Sequence, residues 1–147
     1  MSIRTEMPLL ARHDGEWEGE YVVVDAEGNV TDRHRSYLEC RFPEGEPGVD
    51  YHQTNTYTWA DGTQEVHRFP ARYADGAIWF DTERIKGHAW EVDDRCVVLT
   101  WVYQGREQLH LYELIHLSED GNHRARVWQW FRDDELFQRT LIKEVRT

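Results

Sequence analysis

The chain has 147 residues, with 17 Lys and Arg against 28 Asp and Glu for a formal charge of −11, two cysteines and a 13% aromatic content that includes seven Trp. A chain of this length buries about two-thirds of its unfolded surface, so one domain can fold without a disulfide or a metal. The acidity argues against nucleic acid or an anionic membrane surface as principal partner, since both need clustered Lys and Arg to displace counterions. No apolar run approaches the ~18 residues of a membrane span, and MSIRTEMPLLARHDG lacks the apolar core of a signal peptide, so a cytoplasmic protein is expected.

In chain order, residues 7–13 are the one stretch that reads as helical. Turn signals then recur at short intervals: Gly28-Asn29, Asp61-Gly62, Asp75-Gly76, Asp93-Asp94, Gly105-Arg106, Asp120-Gly121 and Asp133-Asp134. Such pairs tolerate the positive φ of two-residue hairpin turns. They separate about ten strand-length runs: 16–25, 30–42, 49–60, 63–74, 77–82, 84–92, 95–104, 107–119, 122–132 and 135–146. Successive hairpins without a long crossover predict an all-β, up-and-down antiparallel barrel, because closure removes the aggregation-prone edges. No linker or internal repeat divides residues 1–147, so a single domain is expected. Cys40 and Cys96 lack metal-ligand spacing and read as two reduced, buried thiols.

Taking each two-residue turn literally fixes the faces. Trp17, Gly19, Tyr21 and Val23 share the expected inner face with His34, Ser36, Leu38 and Cys40. The third strand alternates Tyr51, Gln53, Asn55, Tyr57 and Trp59 against His52, Thr54, Thr56 and Thr58, and the Asp61-Gly62 turn adds Val66 and Arg68 to the first set. An inner face of phenols and amides needs hydrogen-bond partners that a packed core would not supply, which implies a cavity holding water or ligand. The alternative makes it the outer face of a solvated strand.

In the last four strands, one face holds Val98, Thr100, Leu111, Glu113, Ile115, Arg126, Trp128, Trp130, Phe137, Arg139 and Leu141, with Glu113, Trp128 and Arg139 in one cross-strand row. The other face, including Leu99, Trp101, His110, Tyr112, His116, Phe131 and Ile142, carries no Asp, Glu, Lys or Arg. Its aromatic content and charge depletion fit the core of a homodimer interface, leaving the Glu113 and Arg126 face to line the cavity. The reverse assignment puts His110, Tyr112 and His116 in the pocket.

The segment HDGEWEGEY, with Gly15 and Trp17 entering the first strand after a short helix, resembles the Gly-x-Trp entry of lipocalins and other calycins. The run LYELIHLSEDGNHRARVWQWFRDDELFQRTLIKEVR is similar to an uncharacterised bacterial family of calycin-like single-domain barrels. The resemblance implies that Trp17 packs at the closed end of the barrel under a basic side chain from near the chain's end, for which Arg139 is the candidate. It implies a fold and supplies no activity. The further motifs of secreted lipocalins and a disulfide are absent.

Chemistry then rests on the expected lining. The eight histidines lack metal-site spacing, and His110 and His116 lie nearly 20 Å apart along one strand, so no metal and no cofactor are expected. Trp17, Tyr21, Tyr51, Asn55, Trp59, Trp128 and Arg139 are the candidate ligand-binding residues, suited to a hydrophobic or aromatic molecule whose carboxylate or phenolate Arg126 or Arg139 could hold. Equally, an arginine there can pair with Glu113 and stack on Trp128. A second reading is a cofactor-free lyase, isomerase or cyclase, with His34 and Glu113 as candidate bases, Tyr57 as candidate acid and Arg126 stabilising developing negative charge. A third is a purely structural or protein-binding barrel.

Overall fold

A computed structural model describes residues 2–147. Two single-turn helices, α1 (Ile3–Glu6) and α2 (Pro8–Ala11), precede ten strands: β1 (Gly15–Asp25), β2 (Val30–Arg41), β3 (Tyr51–Thr58), β4 (Gln64–Ala74), β5 (Ala77–Asp81), β6 (Ile85–Glu91), β7 (Cys96–Tyr103), β8 (Arg106–Leu117), β9 (His123–Arg132) and β10 (Glu135–Arg146). Each strand pairs antiparallel with the next, and β1 pairs with β10 to close the barrel. The expected helix over 7–13 shrinks to α2, opened by Pro8 at its first turn, while α1 precedes it under a cap from the Ser2 hydroxyl. Leu9 and Leu10 of α2 are buried with Met7, Trp17 and Leu117, plugging one end of the barrel. Among the described residues no helix is long and apolar enough to cross a membrane.

Two glycines permit close strand approach. A Cβ on Gly19 would run into the Lys143 carbonyl oxygen of β10, and one on Gly87 into the Thr100 carbonyl oxygen of β7, so neither neighbour can yield by rotating a side chain. Gly19 therefore sits at the seam where the barrel closes.

The β1–β2 hairpin has the expected faces, with Trp17 opposite Leu38 and Tyr21 opposite His34. Three other hairpins depart from literal two-residue turns. Between β3 and β4 the amide of Trp59 donates to the Thr63 carbonyl across a three-residue loop in which Gly62 has φ +88°. Asn55 thus faces His67, while Val66 and Arg68 join the threonine face outside, contrary to expectation. A register shift between Val102 and Tyr103 places Leu99 opposite Glu113 and Trp101 opposite Leu111, turning Val97, Leu99 and Trp101 inward and Val98 and Thr100 outward.

The third departure matters most. The Asp133-Asp134 turn forms with φ +49° and +66°, but β10 shifts register between Leu136 and Gln138. The row expected to read Glu113–Trp128–Arg139 becomes Glu113–Trp128–Thr140. Arg139 and Leu141 point outward, whereas Thr140, Ile142 and Glu144 point inward. Both cysteines are free, but only Cys40 is buried; Cys96 is partly exposed.

The uncharged face expected over β7–β10 is consequently divided between inside and outside. Outside remains one apolar row, Trp90–Val98–Leu114–Val127–Leu141–Val22, each opposite the next across six strands. Tyr112, Leu114, Leu141 and Val145 are exposed there.

Candidate functional site

The aromatic and amide face of β3 turns inward and satisfies itself in a line. The Tyr51 hydroxyl donates to Gln53 Oε1 (2.7 Å), Gln53 Nε2 to Asn55 Oδ1 (2.8 Å), and Asn55 Nδ2 to the Tyr57 hydroxyl (2.8 Å). Alternation places these side chains on one face at every second residue, so each reaches the next along the strand. Burial pushes the Tyr51 and Tyr57 phenols up, keeping them protonated hydrogen-bonding groups.

Facing this line across the barrel is a buried ionic cluster. Arg126 Nε donates to Glu113 Oε2 at 2.5 Å, and Arg126 Nη1 donates to the Tyr21 hydroxyl at 2.9 Å and to Glu144 Oε2 at 3.1 Å. Arg124 Nε donates to Glu144 Oε1 at 2.6 Å, and its Nη1 donates to His13 Nδ1 at 3.0 Å. All four charged side chains are at most 3% exposed. Burial opposes charge on Arg126, but Glu113 and Glu144 outweigh it and hold the guanidinium well above its ordinary value. Burial likewise favours a neutral Glu144, yet Arg124 and Arg126 together keep its carboxyl below the ordinary range. His13 is held neutral by burial and then by the surrounding arginines. Two cations and two anions therefore form one closed, neutral set.

A cavity of about 70 Å³ lies between these walls, running from Leu10 and His13 at the plug to Arg84 and Tyr103 near the other end. Leu99, Trp101, Ile115 and Phe80 add apolar lining. This space holds only a few waters, and a ring-sized ligand requires some opening of the side chains around it. A larger hollow of about 430 Å³ lies outside, on β4–β6 against Gly48 and Val49. It is a surface groove edged by Arg72, Asp81 and Lys86, and the interior, lined by Leu99, Trp101, Ile115 and Phe80, is the better site for an apolar ligand.

Near the end opposite the plug, His34 Nδ1 lies 2.8 Å from Asp32 Oδ2, and Trp59 Nε1 donates to Asp32 Oδ1 at 2.9 Å. The His34 ring stacks on Tyr21 (5.0 Å between centroids) and meets Tyr57 edge-on (4.9 Å). Tyr21 therefore touches both His34 and Arg126, and through it the candidate groups His34, Tyr57, Glu113 and Arg126 form one contiguous assembly.

The other candidates divide by position. Tyr21, Tyr51, Asn55 and Trp128 are interior, and Trp59 flanks His34. Trp17 is fully buried at the plug, its indole N–H donating to the His13 carbonyl at 2.9 Å. Its ring lies between two guanidiniums, Arg124 at 4.6 Å and Arg146 at 4.4 Å. The basic partner expected to be Arg139 is thus supplied by these two, and Arg139 itself is exposed on the outer face because the β10 shift reverses its direction. His13, Asp32, Arg124 and Glu144 were not singled out by the sequence. The one available signal was Arg124, two residues before Arg126 and hence on the same face. Among the described residues no three His, Cys, Asp or Glu side chains converge as a metal site.

The family described as "Domain of unknown function (DUF3598), N-terminal" matches residues 5–147. Among solved structures, a DUF3598-family protein of unknown function from Nostoc punctiforme superposes with a TM-score of 0.71 at 16% identity, over 94% of this chain and 49% of that one. The chain thus spans about half the length of the Nostoc protein. The S-type phycobiliprotein lyase CPES from Guillardia theta superposes with a TM-score of 0.76 at 13% identity, over 100% of this chain and 93% of that one. No curated protein matches the chain.

Proposed function

The chain belongs to the DUF3598 family, and we propose that it binds a small hydrophobic or aromatic molecule inside its barrel. One observation carries the reading: a cavity threads the barrel between the inward phenol and amide line of β3 and the ion-paired cluster of Glu113, Arg124, Arg126 and Glu144. A barrel built only for stability would fill that space with aliphatic side chains, which pack without the desolvation cost of buried charges. The lyase from Guillardia theta shares the barrel, and a phycobiliprotein lyase is an instance of this fold serving chemistry on another molecule.

The Asp32–His34 contact favours a second reading. A carboxylate beside Nδ1 orients an imidazole so that Nε2 can accept a proton, and the phenols of Tyr21 and Tyr57 stand beside the ring. Proton-transfer chemistry of a lyase or isomerase type, without a cofactor, would use His34 as base and Tyr57 as acid. Glu113 and Arg126 would position groups, because each is already held by the other.

One screen tests both readings: thermal melts with single-ring aromatics and short fatty acids, followed by mass spectrometry of the recovered compounds. Binding raises the melting temperature and is lost in Leu99→Trp, whose larger side chain occupies the cavity; an unchanged compound identifies a binding protein and an altered one an enzyme. If no compound stabilises the wild type at millimolar concentration, the cavity reading fails. The exterior row centred on Leu114, Val127 and Leu141 is the proposed homodimer face in a cytoplasmic protein. Sedimentation at micromolar concentration then gives twice the chain mass, and Leu114→Arg restores the monomer.

A further inference from the structure

The cavity wall carries its charge unevenly along its length. Deep in the barrel, Arg124 and Arg126 are matched by Glu144 and Glu113 in contacts of 2.5–3.1 Å, so that stretch has no spare cation. His13 adds none, because burial and the arginines keep its ring neutral. The remaining charged side chain of the wall is Arg84, in the β5–β6 loop at the end opposite the plug. It is exposed, and among the described residues its guanidinium makes neither an ion pair nor a hydrogen bond. Its backbone, by contrast, is fixed: the Arg84 N–H donates to Thr82 Oγ1 at 3.1 Å, and its carbonyl accepts from the Gln104 N–H at 2.9 Å. The guanidinium lies over the ring of Tyr103, 5.9 Å from its centroid, and Tyr103 is itself part of the wall. His67 is no competing cation, since burial and then the Arg84 charge depress its imidazole below the ordinary value. In a chain of formal charge −11, the unmatched charge of the cavity wall is thus positive, and it faces solvent.

This placement decides where an anion can go. A carboxylate drawn down to the cluster would add an unbalanced negative charge away from water. At Arg84 the same group gains a charge-assisted pair while keeping part of its hydration. Inward of that position Ile85, Leu99, Trp101 and Ile115 offer apolar surface, so a tail attached to the carboxylate leaves water as it enters.

From these observations we propose that the cavity takes amphipathic monocarboxylates head-out, with the carboxylate on Arg84 and the apolar tail directed toward the plug. The inference rests on the cavity-binding reading and adds the ligand class and its orientation.

Three probes sharing one ring and one tether separate the possibilities: 3-phenylpropionate, its neutral amide 3-phenylpropanamide and the cationic 3-phenylpropylamine. Calorimetric titration compares them on the wild type, Arg84→Gln, Arg84→Lys and Leu99→Trp. Arg84 is exposed, so its variants should fold, and their melting temperatures check this. The carboxylate is expected to bind about fivefold more tightly than the amide, the upper range for an ion pair shared with water, and the amine more weakly than either. Arg84→Gln should bring carboxylate and amide within about twofold of each other. Arg84→Lys should keep the carboxylate ahead, and Leu99→Trp should weaken all three. Equal binding of carboxylate and amide by the wild type overturns the inference while leaving the cavity reading intact. A carboxylate preference that survives in Arg84→Gln overturns the assignment to Arg84. A preference lost in Arg84→Gln but untouched by Leu99→Trp puts the ring outside the barrel and overturns the head-out arrangement. Failure of all three to bind overturns the cavity reading and this inference together.

Discussion

The two ends of the barrel use polar side chains in opposite ways. At the plugged end, Arg146 donates to the carbonyls of Asp14 and Arg12 at 2.6 Å each, and Leu10 N–H donates to Glu91 at 2.7 Å. Trp17 lies there between two guanidiniums, so charge and backbone polarity are absorbed into closing the barrel. At the other end, Asp32 is 39% exposed at its side chain while holding both His34 and Trp59. A charge buried with its partners cannot be lost without exposing the others, whereas one shared with water can be altered cheaply. Substitutions at the plug and its adjoining cluster should therefore unfold the protein, and those at the opposite end should change what it binds.

The largest expected effect comes from Arg126→Met, which preserves length and removes the charge. Glu113, Tyr21 and part of Glu144 lose their shared donor within the barrel, a loss of about 3–5 kcal/mol for breaking a buried ionic cluster. Urea unfolding measures it, and a loss below ~1 kcal/mol would show that the cluster does not hold the barrel closed.

Next in size is acid sensitivity. His13 is neutral in the folded protein because burial and the neighbouring arginines depress its pKa, while in the unfolded chain it titrates near 6.5. Below that pH the unfolded chain takes up a proton that the folded chain refuses, so His13's contribution is complete above 6.5 and declines as pH falls, by at most ~1.4 kcal/mol per pH unit. Glu144, depressed by Arg124 and Arg126 against its burial, adds a second loss below 4.5. Melting temperatures between pH 8 and 5 should fall on the acid side, and His13→Phe should flatten the slope in that range. A slope unchanged in His13→Phe would place the acid sensitivity elsewhere.

The contrast between the ends also explains what could be read from the sequence. The ten strands, the closed barrel and the inner face of β1 and β2 follow from turn residues and alternation, which are local properties. The cluster does not, because its members come from the entry to β1 (His13) and from β8, β9 and β10, and Glu144 joins it only after the β10 register shift. Taking Asp133-Asp134 literally identified the turn, but no residue near Phe137 announces the extra residue that turns Arg139 out and Glu144 in. Hydrophobic alternation points the wrong way there: Leu141 and Val145 are exposed while Glu144 is buried. Arg126 and Glu113 were legible as partners because the Asp120-Gly121 hairpin keeps its simple register. The role of Asp32 is not legible locally, because it depends on Trp59 arriving from β3.

Asp32→Asn tests the opposite end with the smallest expected cost. The amide keeps the side chain's size and can still accept from Trp59 Nε1, so stability should change by less than ~1 kcal/mol, the range for a partly exposed pair. What changes is the imidazole: without the carboxylate beside Nδ1, His34 loses the partner that selects its tautomer. The ¹⁵N shifts of the His34 ring should therefore report a changed tautomer balance in the variant, with the melting curve nearly superimposed on that of the wild type. If the variant instead unfolds as readily as Arg126→Met, Asp32 belongs to the scaffold and the two ends of the barrel are not divided in the way their exposure indicates.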